Sequence, residues 1–333
     1  MDTMQELGAP VIVAKDLHKR YGDVEAVRGV DLAVGTGETF GFLGPNGAGK
    51  TTTISILCTL LSPSSGAAAV AGFDVVSQRL EVRRRIGLVF QEPTLDEYLT
   101  AEENLRFHAE LYGVPKLETA PRVEQVLRMV GLWERRAHVV STFSGGMKRR
   151  LEIARGLLHS PRVLFLDEPT VGLDPQTRAH IWNYIEELKE REAVTIFLTT
   201  HYMEEAEHCD RIAIIDGGQI AALGTPEALK ANVGQDRVEI RTADDDAAIA
   251  TLRDRFGLEA SVAEGAVRVY VAHGAEFVPT LFAELGVPIL SVNVAAPTLD
   301  DVFMAYTGRT IRDAEATSTE RLGSSPFMRR RRR

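Results

Sequence analysis

A glycine-rich segment between a short apolar stretch and a helical pattern limits this chain to few folds. The segment runs from Gly44 to Thr52, and its first eight residues fit the pattern G-x-x-x-x-G-K-[ST]. Its glycines let successive backbone N–H groups turn toward one point, at which the following helix aims its N-terminus. Lys50 can reach the β- and γ-phosphates of a nucleotide, and the Thr51 hydroxyl can bind Mg²⁺. The segment therefore predicts a phosphate-binding loop that joins a strand to a helix.

The first part of the chain predicts a parallel α/β core with two additions. Residues 11–34 alternate between apolar and polar side chains, as antiparallel strands do. Residues 93–159 instead carry apolar side chains at helical spacing. The short apolar runs Val163–Leu166 and Thr195–Leu198 then read as buried parallel strands. Residues 11–232 are therefore predicted to form one domain with an antiparallel β subdomain and a helical subdomain.

The second part of the chain has a different pattern. Residues 235–309 follow the order strand, helix, strand, strand, helix, strand, which predicts a small α+β domain of the split βαβ, ferredoxin-like type. An amphipathic helix at Leu299–Tyr306 closes this domain. Residues 310–333 are polar and end in the arginine run Arg329–Arg333, so they are predicted to be a disordered basic tail.

Composition excludes several classes of protein. The formal net charge of −9 argues against a nucleic-acid partner, which requires a basic face. No apolar run approaches the roughly 18 residues of a membrane-spanning helix, and the N-terminus has no secretory pattern. The two cysteines, Cys58 and Cys209, lie in apolar patterns that are typical of buried thiols in a reducing compartment.

Two adjacent carboxylates, Asp167 and Glu168, end an apolar strand pattern. Asp167 is placed to hold the water shell of Mg²⁺, as the second acidic element of nucleotide hydrolases does. Glu168 is placed to polarise the attacking water; because a free Glu titrates near about 4.3, its role is orientation and late proton acceptance. Two carboxylates at one strand end would repel each other without a cation, which disfavours an ordinary buried pair.

Five further motifs, in their order along the chain, make residues 11–232 resemble the ABC ATPase family. The resemblance rests on five places: Tyr21 in Lys19-Arg20-Tyr21-Gly22, Gln91 after Val89-Phe90, the signature Phe143-Ser144-Gly145-Gly146-Met147, Asp174 in Gly172-Leu173-Asp174-Pro175, and His201 after Thr199-Thr200. It implies an α/β fold with a P-loop NTPase core. It also implies that two copies pack head to tail, so that each signature caps the ATP held by the other copy.

The same resemblance implies a role for each matching residue. It implies catalytic roles for Lys50, Gln91, Glu168 and His201, and Mg²⁺ ligands at Thr51, Gln91 and Asp167. It implies contacts with ATP from Tyr21, Gly44, Pro45, Asn46, Gly47, Ala48, Gly49, Lys50, Thr51, Thr52, Gln91, Ser144, Gly145, Gly146, Asp174 and His201. Phe143 and Met147 depart from the usual Leu and Gln of the signature, which leaves the affinity of the site in trans open.

Three kinds of protein compete for these motifs. A kinase has no use for Ser144-Gly145-Gly146 together with Gln91. A soluble ABC ATPase that acts on the ribosome or DNA usually carries two nucleotide domains or a long coiled coil, whereas this sequence has one set of motifs and no long heptad run. Such an ATPase remains the alternative function. The favoured function is the ATP-hydrolysing subunit of an exporter, peripheral on the cytoplasmic face of the membrane. Its expected partners are a second copy and a permease of about six spans, with no nucleic acid.

Three segments resemble drug-resistance exporter ATPases of the daunorubicin/doxorubicin type: residues 91–96, 200–207 and 297–308. The resemblance implies that Glu92–Tyr112 forms a groove for a cytoplasmic helix of the permease, and that the C-terminal domain is regulatory. It implies an amphipathic drug or lipid as cargo, which the membrane partner selects. Asp300-Asp301 fits either an acidic regulatory motif or a helix cap, and both interpretations stay open.

Overall fold

The computed structural model describes residues 10–311 except 93, 193, 235, 264 and 309. These residues form two compact units, one within residues 10–225 and one spanning residues 226–310. The expectations for residues 312–333, with the arginine run Arg329–Arg333, lie outside the described residues. Within the described ranges, no helix is long and apolar enough to cross a membrane.

The first unit combines a parallel core with the two predicted additions. Its elements are β1 (Ile12–Tyr21), β2 (Val24–Val34), β3 (Thr39–Leu43), α1 (Lys50–Leu57), β4 (Ser65–Val70), β5 (Phe73–Asp74), α2 (Arg79–Arg83), β6 (Ile86–Val89), α3 (Ala101–Leu111), α4 (Lys116–Met129), α5 (Gly145–Leu157), β7 (Val163–Asp167), α6 (Pro175–Glu192), β8 (Thr195–Thr200), α7 (Met203–Ala206), β9 (Arg211–Asp216) and β10 (Gln219–Gly224).

The central sheet has six strands in the order β10-β9-β3-β8-β7-β6, and all pairs except β9–β10 are parallel. Its strands are buried nearly continuously, as in a parallel sheet covered on both faces. Leu43 pairs with Thr200 and Asp167 pairs with Thr199, so β3, β7 and β8 end at the same edge. Ligands of open α/β sheets bind at this carboxyl edge.

Four phenylalanine rings form part of the core beside this sheet. The Phe197 ring is fully buried, and its centroid lies 5.5 Å from Phe40, 5.7 Å from Phe42 and 5.5 Å from Phe165. Such aromatic contacts add to the stability gained from burying the ring surface. Since the four rings come from β3, β7 and β8, they hold together the strands whose ends carry the predicted site.

The antiparallel sheet has the order β2-β1-β4-β5, which confirms the predicted hairpin of β1 and β2. Strands β4, β5 and β6 and helix α2 were not predicted. After the glycine-rich loop the sequence predicts a helix from Lys50 to Leu61, before Pro63, and this prediction is too long, since α1 ends at Leu57. Thr59 takes a left-handed φ of 64°, and the N–H groups of Leu60 and Leu61 both donate to the Ser55 carbonyl, which ends the helical ladder.

The predicted helical segment is confirmed by α3, α4 and α5, which lie between the parallel strands β6 and β7. A capping box begins α3, in which Thr100 and Glu103 each accept a backbone N–H of the other. Buried Asn104 fixes the preceding loop, because its amide donates to the carbonyls of Asp96 and Thr100. Ser144 caps α5 by accepting the Met147 N–H at 3.3 Å.

The second unit confirms the predicted order of strands and helices. Its elements are α8 (Pro226–Val233), β11 (Asp236–Thr242), α9 (Asp245–Phe256), β12 (Ala260–Ala263), β13 (Ala266–Val271), α10 (Gly274–Glu284), β14 (Ile289–Ala295) and α11 (Leu299–Thr307). The antiparallel sheet has the order β12-β13-β11-β14, and α9 and α10 cover its apolar face through Leu252 and Leu281. Asp301 caps α11 by accepting from the Thr298 N–H and hydroxyl.

Replacing Phe197 with Ala is expected to lower the free energy of unfolding of the first unit by about 3–5 kcal/mol, because it leaves a cavity among three rings. Urea denaturation followed by tryptophan fluorescence measures this, since both tryptophans, Trp133 and Trp182, lie in that unit. The control is Tyr98→Ala, whose side chain is 92% exposed and whose loss should change stability by less than about 0.5 kcal/mol. Equal stability of the two variants would contradict this role of Phe197.

Candidate nucleotide site

A cavity of about 240 Å³ lies at the carboxyl edge of the central sheet, beside the glycine-rich loop. It is lined by Ala26, Asn46, Gly47, Gly49, Lys50, Thr51, Thr52, Gln91 and Glu168. Gly47 and Gly49 have φ angles of 82° and 106°, which only glycine adopts readily. A Cβ at Gly49 would lie 2.5 Å from the Ala26 carbonyl oxygen, and one at Gly44 would lie 2.3 Å from that of Ile215.

The side chain of Lys50 crosses beneath this loop. Its Nζ donates to the carbonyls of Gly44 at 2.7 Å and Pro45 at 3.1 Å, and it lies 3.3 Å from Glu168 Oε1. Lys50 is also the first residue of α1, so the backbone N–H groups of that helix start face the same region. A buried cation and a helix start beside a glycine cradle form a site that favours phosphate.

Three polar side chains meet at the carboxylate of Glu168. Lys50 and His201 lie 3.3 and 3.2 Å from Oε1, and Gln91 Nε2 donates to Oε2 at 3.1 Å. Burial acts to raise the pKa of Glu168, but the hydrogen bond to His201 and the charge of Lys50 outweigh it and lower that pKa. Glu168 is therefore an ionised, nearly buried carboxylate at neutral pH, held at the cavity wall.

Asp167 lies one residue earlier, at the end of β7, where the Thr199 hydroxyl donates to Oδ1 at 2.5 Å. Burial raises the pKa of Asp167, and this hydrogen bond opposes the increase. In the described part of the chain, no group of three or more His, Cys, Asp or Glu side chains could hold a metal ion. The oxygens of Thr51, Gln91 and Asp167 nevertheless fit Mg²⁺, which takes one or two carboxylates and completes its shell with water and phosphate.

Arg149 on α5 fixes the turn after β7, and sequence reasoning missed it. Its Nε donates to the Pro169 carbonyl at 2.6 Å, and its Nη2 lies 3.1 and 3.3 Å from the carbonyls of Asp167 and Glu168. Its Nη1 donates to the Phe90 carbonyl, directly before Gln91. The turn needs such support because Glu168 has a left-handed φ of 46°, which costs a non-glycine residue about 1–2 kcal/mol. The one feature of the sequence that could have pointed to Arg149 is its position five residues after Ser144, in the helix that begins with the signature.

The structure brings part of the predicted set to one cavity. Six loop residues, Gln91 and Glu168 line it. Asp167 contacts the cavity through a hydrogen bond with Thr51, and His201 contacts it through Glu168. Tyr21 is 48% exposed at the end of β1, with Lys19 Nζ 5.3 Å above its ring. Of the described residues that line the cavity, none is Tyr21, Ser144 or Asp174.

The signature segment lies at the start of α5, apart from the cavity but beside the loop of Asp174. Ser144 and Gly145 are exposed, whereas Gly146 is buried, and a Cβ there would lie 2.3 Å from Thr177 Cγ2. The Asp174 carboxylate accepts the Thr177 N–H at 3.0 Å and its hydroxyl at 2.6 Å. The close approach of α5 and α6 therefore requires glycine at position 146.

Comparisons with known proteins agree with both parts of this architecture. A family model described as "ABC transporter" matches residues 27–171, and one described as "ATP-binding protein DrrA1-3-like, C-terminal domain" matches residues 224–307. The linearmycin resistance ATP-binding protein LnrL of Bacillus subtilis is 40% identical over 91% of this chain and 100% of its own length. The daunorubicin resistance ATP-binding protein DrrA3 of Streptomyces coeruleorubidus is 40% identical over 92% of this chain and 98% of its own length.

A solved structure with bound nucleotide products has a similar fold. An ATP-binding cassette, solved as a dimer in a post-hydrolysis state with ADP and Pi, superposes with a TM-score of 0.58 and 27% identity. The match covers 64% of this chain and 98% of that one.

Replacing Gly49 with Ala is expected to weaken ATP binding by about tenfold or more, since a positive φ and a clash together cost at least about 1.4 kcal/mol. Calorimetric titration with a slowly hydrolysed ATP analogue measures the loss. The control is Gly22→Ala, where φ is also positive but a Cβ meets nothing within 4 Å. Unchanged affinity in the Gly49 variant would refute the cradle described above.

Proposed function

The chain belongs to the ATP-binding proteins of ABC transporters, in the group of drug-resistance exporter ATPases, and from that premise we propose how its site works. It is the ATP-binding and ATP-hydrolysing subunit of an exporter, which acts through dimerisation of nucleotide-binding domains and with a membrane permease. The observation that carries the proposal is the Glu168 carboxylate, which Lys50, Gln91 and His201 hold at the wall of the loop cavity.

We propose that the loop from Gly44 to Thr52 binds the phosphates of ATP through its backbone N–H groups. Lys50 would bind the β- and γ-phosphates. Its ammonium group would then exchange its contact with the Glu168 carboxylate for contacts with the phosphate oxygens, because the two anions compete for the same cation. Bound Mg²⁺ supplies neutralisation of phosphate charge, and Thr51, Gln91 and Asp167 would hold it. Tyr21 is proposed to stack on adenine, which its exposed ring at the end of β1 permits.

Glu168 is proposed to orient the attacking water and to take its proton late in the reaction. The lowered pKa keeps this carboxylate ionised, so it can accept a hydrogen bond from water but is a weak base. His201 would contact the γ-phosphate from the end of β8, while its Nδ1 stays within 3.2 Å of Glu168. Gln91 would report the presence of nucleotide to the helical segment that follows it.

A second copy of the chain is proposed to complete each site. Ser144, Gly145 and Gly146 would act as a second anion site at the start of α5, with Asp174 beside them. Two observations support this proposal: the signature lies apart from the loop cavity, and Ser144 and Gly145 are exposed. Hydrolysis would release the two copies, because ATP joins them only while its γ-phosphate is intact.

The permease is proposed to dock on the groove between the core and the helical segment, at the cytoplasmic face of the membrane. A cavity of about 450 Å³ lies there, with an apolar floor that includes Ile86, Leu88 and Phe90. Phe107 and Leu111 on α3 are 55% and 65% exposed. A groove of this kind fits the apolar face of a short helix.

The cargo is proposed to be an amphipathic drug or lipid, as the resistance functions in the names of LnrL and DrrA3 suggest. The membrane partner would select it. The second unit, residues 226–310, is proposed to be regulatory, and residues 224–307 match the family model of the DrrA1-3-like C-terminal domain.

Replacing Glu168 with Gln is expected to keep ATP binding and to lower turnover by about a hundredfold or more, because the amide cannot accept the proton. Phosphate release measures turnover, and light scattering is expected to show an ATP-bound dimer that accumulates. The matched comparison is Lys50→Ala, which should lose ATP binding itself. Normal turnover in the Glu168 variant would remove the catalytic assignment, and unchanged ATP affinity in the Lys50 variant would remove the role of the loop.

A further inference from the structure

Glu205 is a buried carboxylate outside the nucleotide cavity. It is 1% exposed and lies in the short helix α7, four residues after His201. The Thr170 hydroxyl donates to Glu205 Oε1, and Thr170 itself is fully buried. Burying an ionisable group costs free energy unless hydrogen-bond or charge partners compensate it. The burial of Glu205 in so short a helix therefore calls for a structural or functional explanation.

Thr170 belongs to the turn that carries Glu168. The turn is closed by the Val171 N–H to the Glu168 carbonyl at 3.4 Å and by the Leu173 N–H to the Thr170 carbonyl at 3.1 Å. Arg149 holds the carbonyls at the beginning of this turn, and Glu205 holds the hydroxyl of Thr170. The strained Glu168 backbone is therefore held by one side chain at each end of the turn.

Glu205 also holds the segment that carries His201. Its side chain lies beside the Thr200 hydroxyl, which accepts the Tyr202 N–H at 2.9 Å. The Thr200 carbonyl in turn accepts the Gly44 N–H at 3.1 Å, at the start of the phosphate loop. One carboxylate thus touches the turn of Glu168 and the strand end of His201, whose side chains meet 3.2 Å apart.

We propose that Glu205 is a positioning residue for ATP hydrolysis, which sets the distance between Glu168 and His201 by joining Thr170 to Thr200. This inference rests on the proposed roles of Glu168 and His201. Glu205 itself touches neither nucleotide nor water in this account. A displacement of about 1 Å between reacting groups is enough to lower a rate by about a hundredfold.

The charge of Glu205 makes this arrangement dependent on pH. Burial raises the pKa of Glu205 to about 7, against the Thr200 hydrogen bond and the positive charge of Arg178 on α6. His201 from the end of β8 also lowers that pKa, and Glu168 from the turn raises it. Arg149 from α5 is a further cation that faces Glu205. On its own helix, Glu204 is 87% exposed, and its Oε2 lies 3.6 Å from Arg178 Nη1.

The ionised carboxylate can accept from both threonine hydroxyls, whereas the neutral form carries a proton on one oxygen and loses an acceptor there. We therefore expect one component of kcat to decrease as the pH falls through about 7. The folded state has the opposite dependence: it binds the proton more tightly than the unfolded chain, so its stability falls as the pH rises from the ordinary Glu pKa to about 7.

Five variants of the full chain test the proposal by steady-state ATP hydrolysis: Thr170→Val, Thr170→Ser, Glu205→Gln, the double variant Thr170→Val with Glu205→Gln, and the control Glu204→Gln. Thr170→Val and Glu205→Gln are each expected to lower kcat by about tenfold and to leave the KM for ATP within about twofold. The double variant should equal either single variant, because both remove one interaction. Thr170→Ser should restore kcat, since it returns the hydroxyl.

The pH profile provides a readout that a loss of folding would not reproduce. The parent and Glu204→Gln should lose part of kcat between about pH 8 and about pH 6, and Glu205→Gln should lack that component, because an amide does not titrate. Wild-type kcat and pH profile in both Glu205→Gln and Thr170→Val would overturn the proposal. Inactivity of Glu168→Gln in the same assay would show that the proposed function stands. Wild-type behaviour of Glu205→Gln and Thr170→Val would then remove only the role of Glu205.

Discussion

The site depends on the contacts of the Glu168 carboxylate with three side chains. This carboxylate joins the phosphate loop through Lys50, the helical segment through Gln91 and the end of β8 through His201. A buried carboxylate would normally be costly, but His201 and Lys50 offset its desolvation and keep it charged. Its backbone is strained, and Arg149 from the signature helix holds it in place. The turn that carries Glu168 is thereby joined by hydrogen bonds to α5, the helix that Ser144 caps.

Local motifs made most of this site predictable. The glycine-rich segment between β3 and α1, the carboxylates at the end of β7 and the order of elements in the second unit are written in short contiguous patterns, and the structure has these strands and helices at their expected places. Strand β4 was missed because its small residues, Ser65–Val70, show no apolar period, and α1 was predicted too long because nothing marks Thr59 as left-handed. Arg149 and Glu205 were missed for another reason: charged residues in helical patterns usually face solvent, and only tertiary contacts reveal that these two point inward.

The distribution of polar groups explains why a single copy is proposed to be insufficient. The loop cavity offers a cation, backbone donors and a carboxylate, yet Ser144 and Gly145 lie exposed elsewhere, at the start of α5. Glycine is required at position 146 by the approach of Thr177, so this helix start is fixed against the loop of Asp174. A rigid, exposed helix start suits recognition of an anion presented by a neighbour. In the proposed function, ATP held by one copy would therefore also bind the second copy.

The most direct test of this shared site is complementation between two inactive chains. One chain carries Lys50→Ala, and the other carries Ser144→Arg, which blocks the signature. If each site combines the loop of one copy with the signature of the other, a mixed dimer retains one intact site, and random pairing should restore turnover to at most about a quarter of the parent level. Mixtures with no more activity than the separate chains, although mixed dimers form, would contradict the account, since a site built within one copy cannot be complemented.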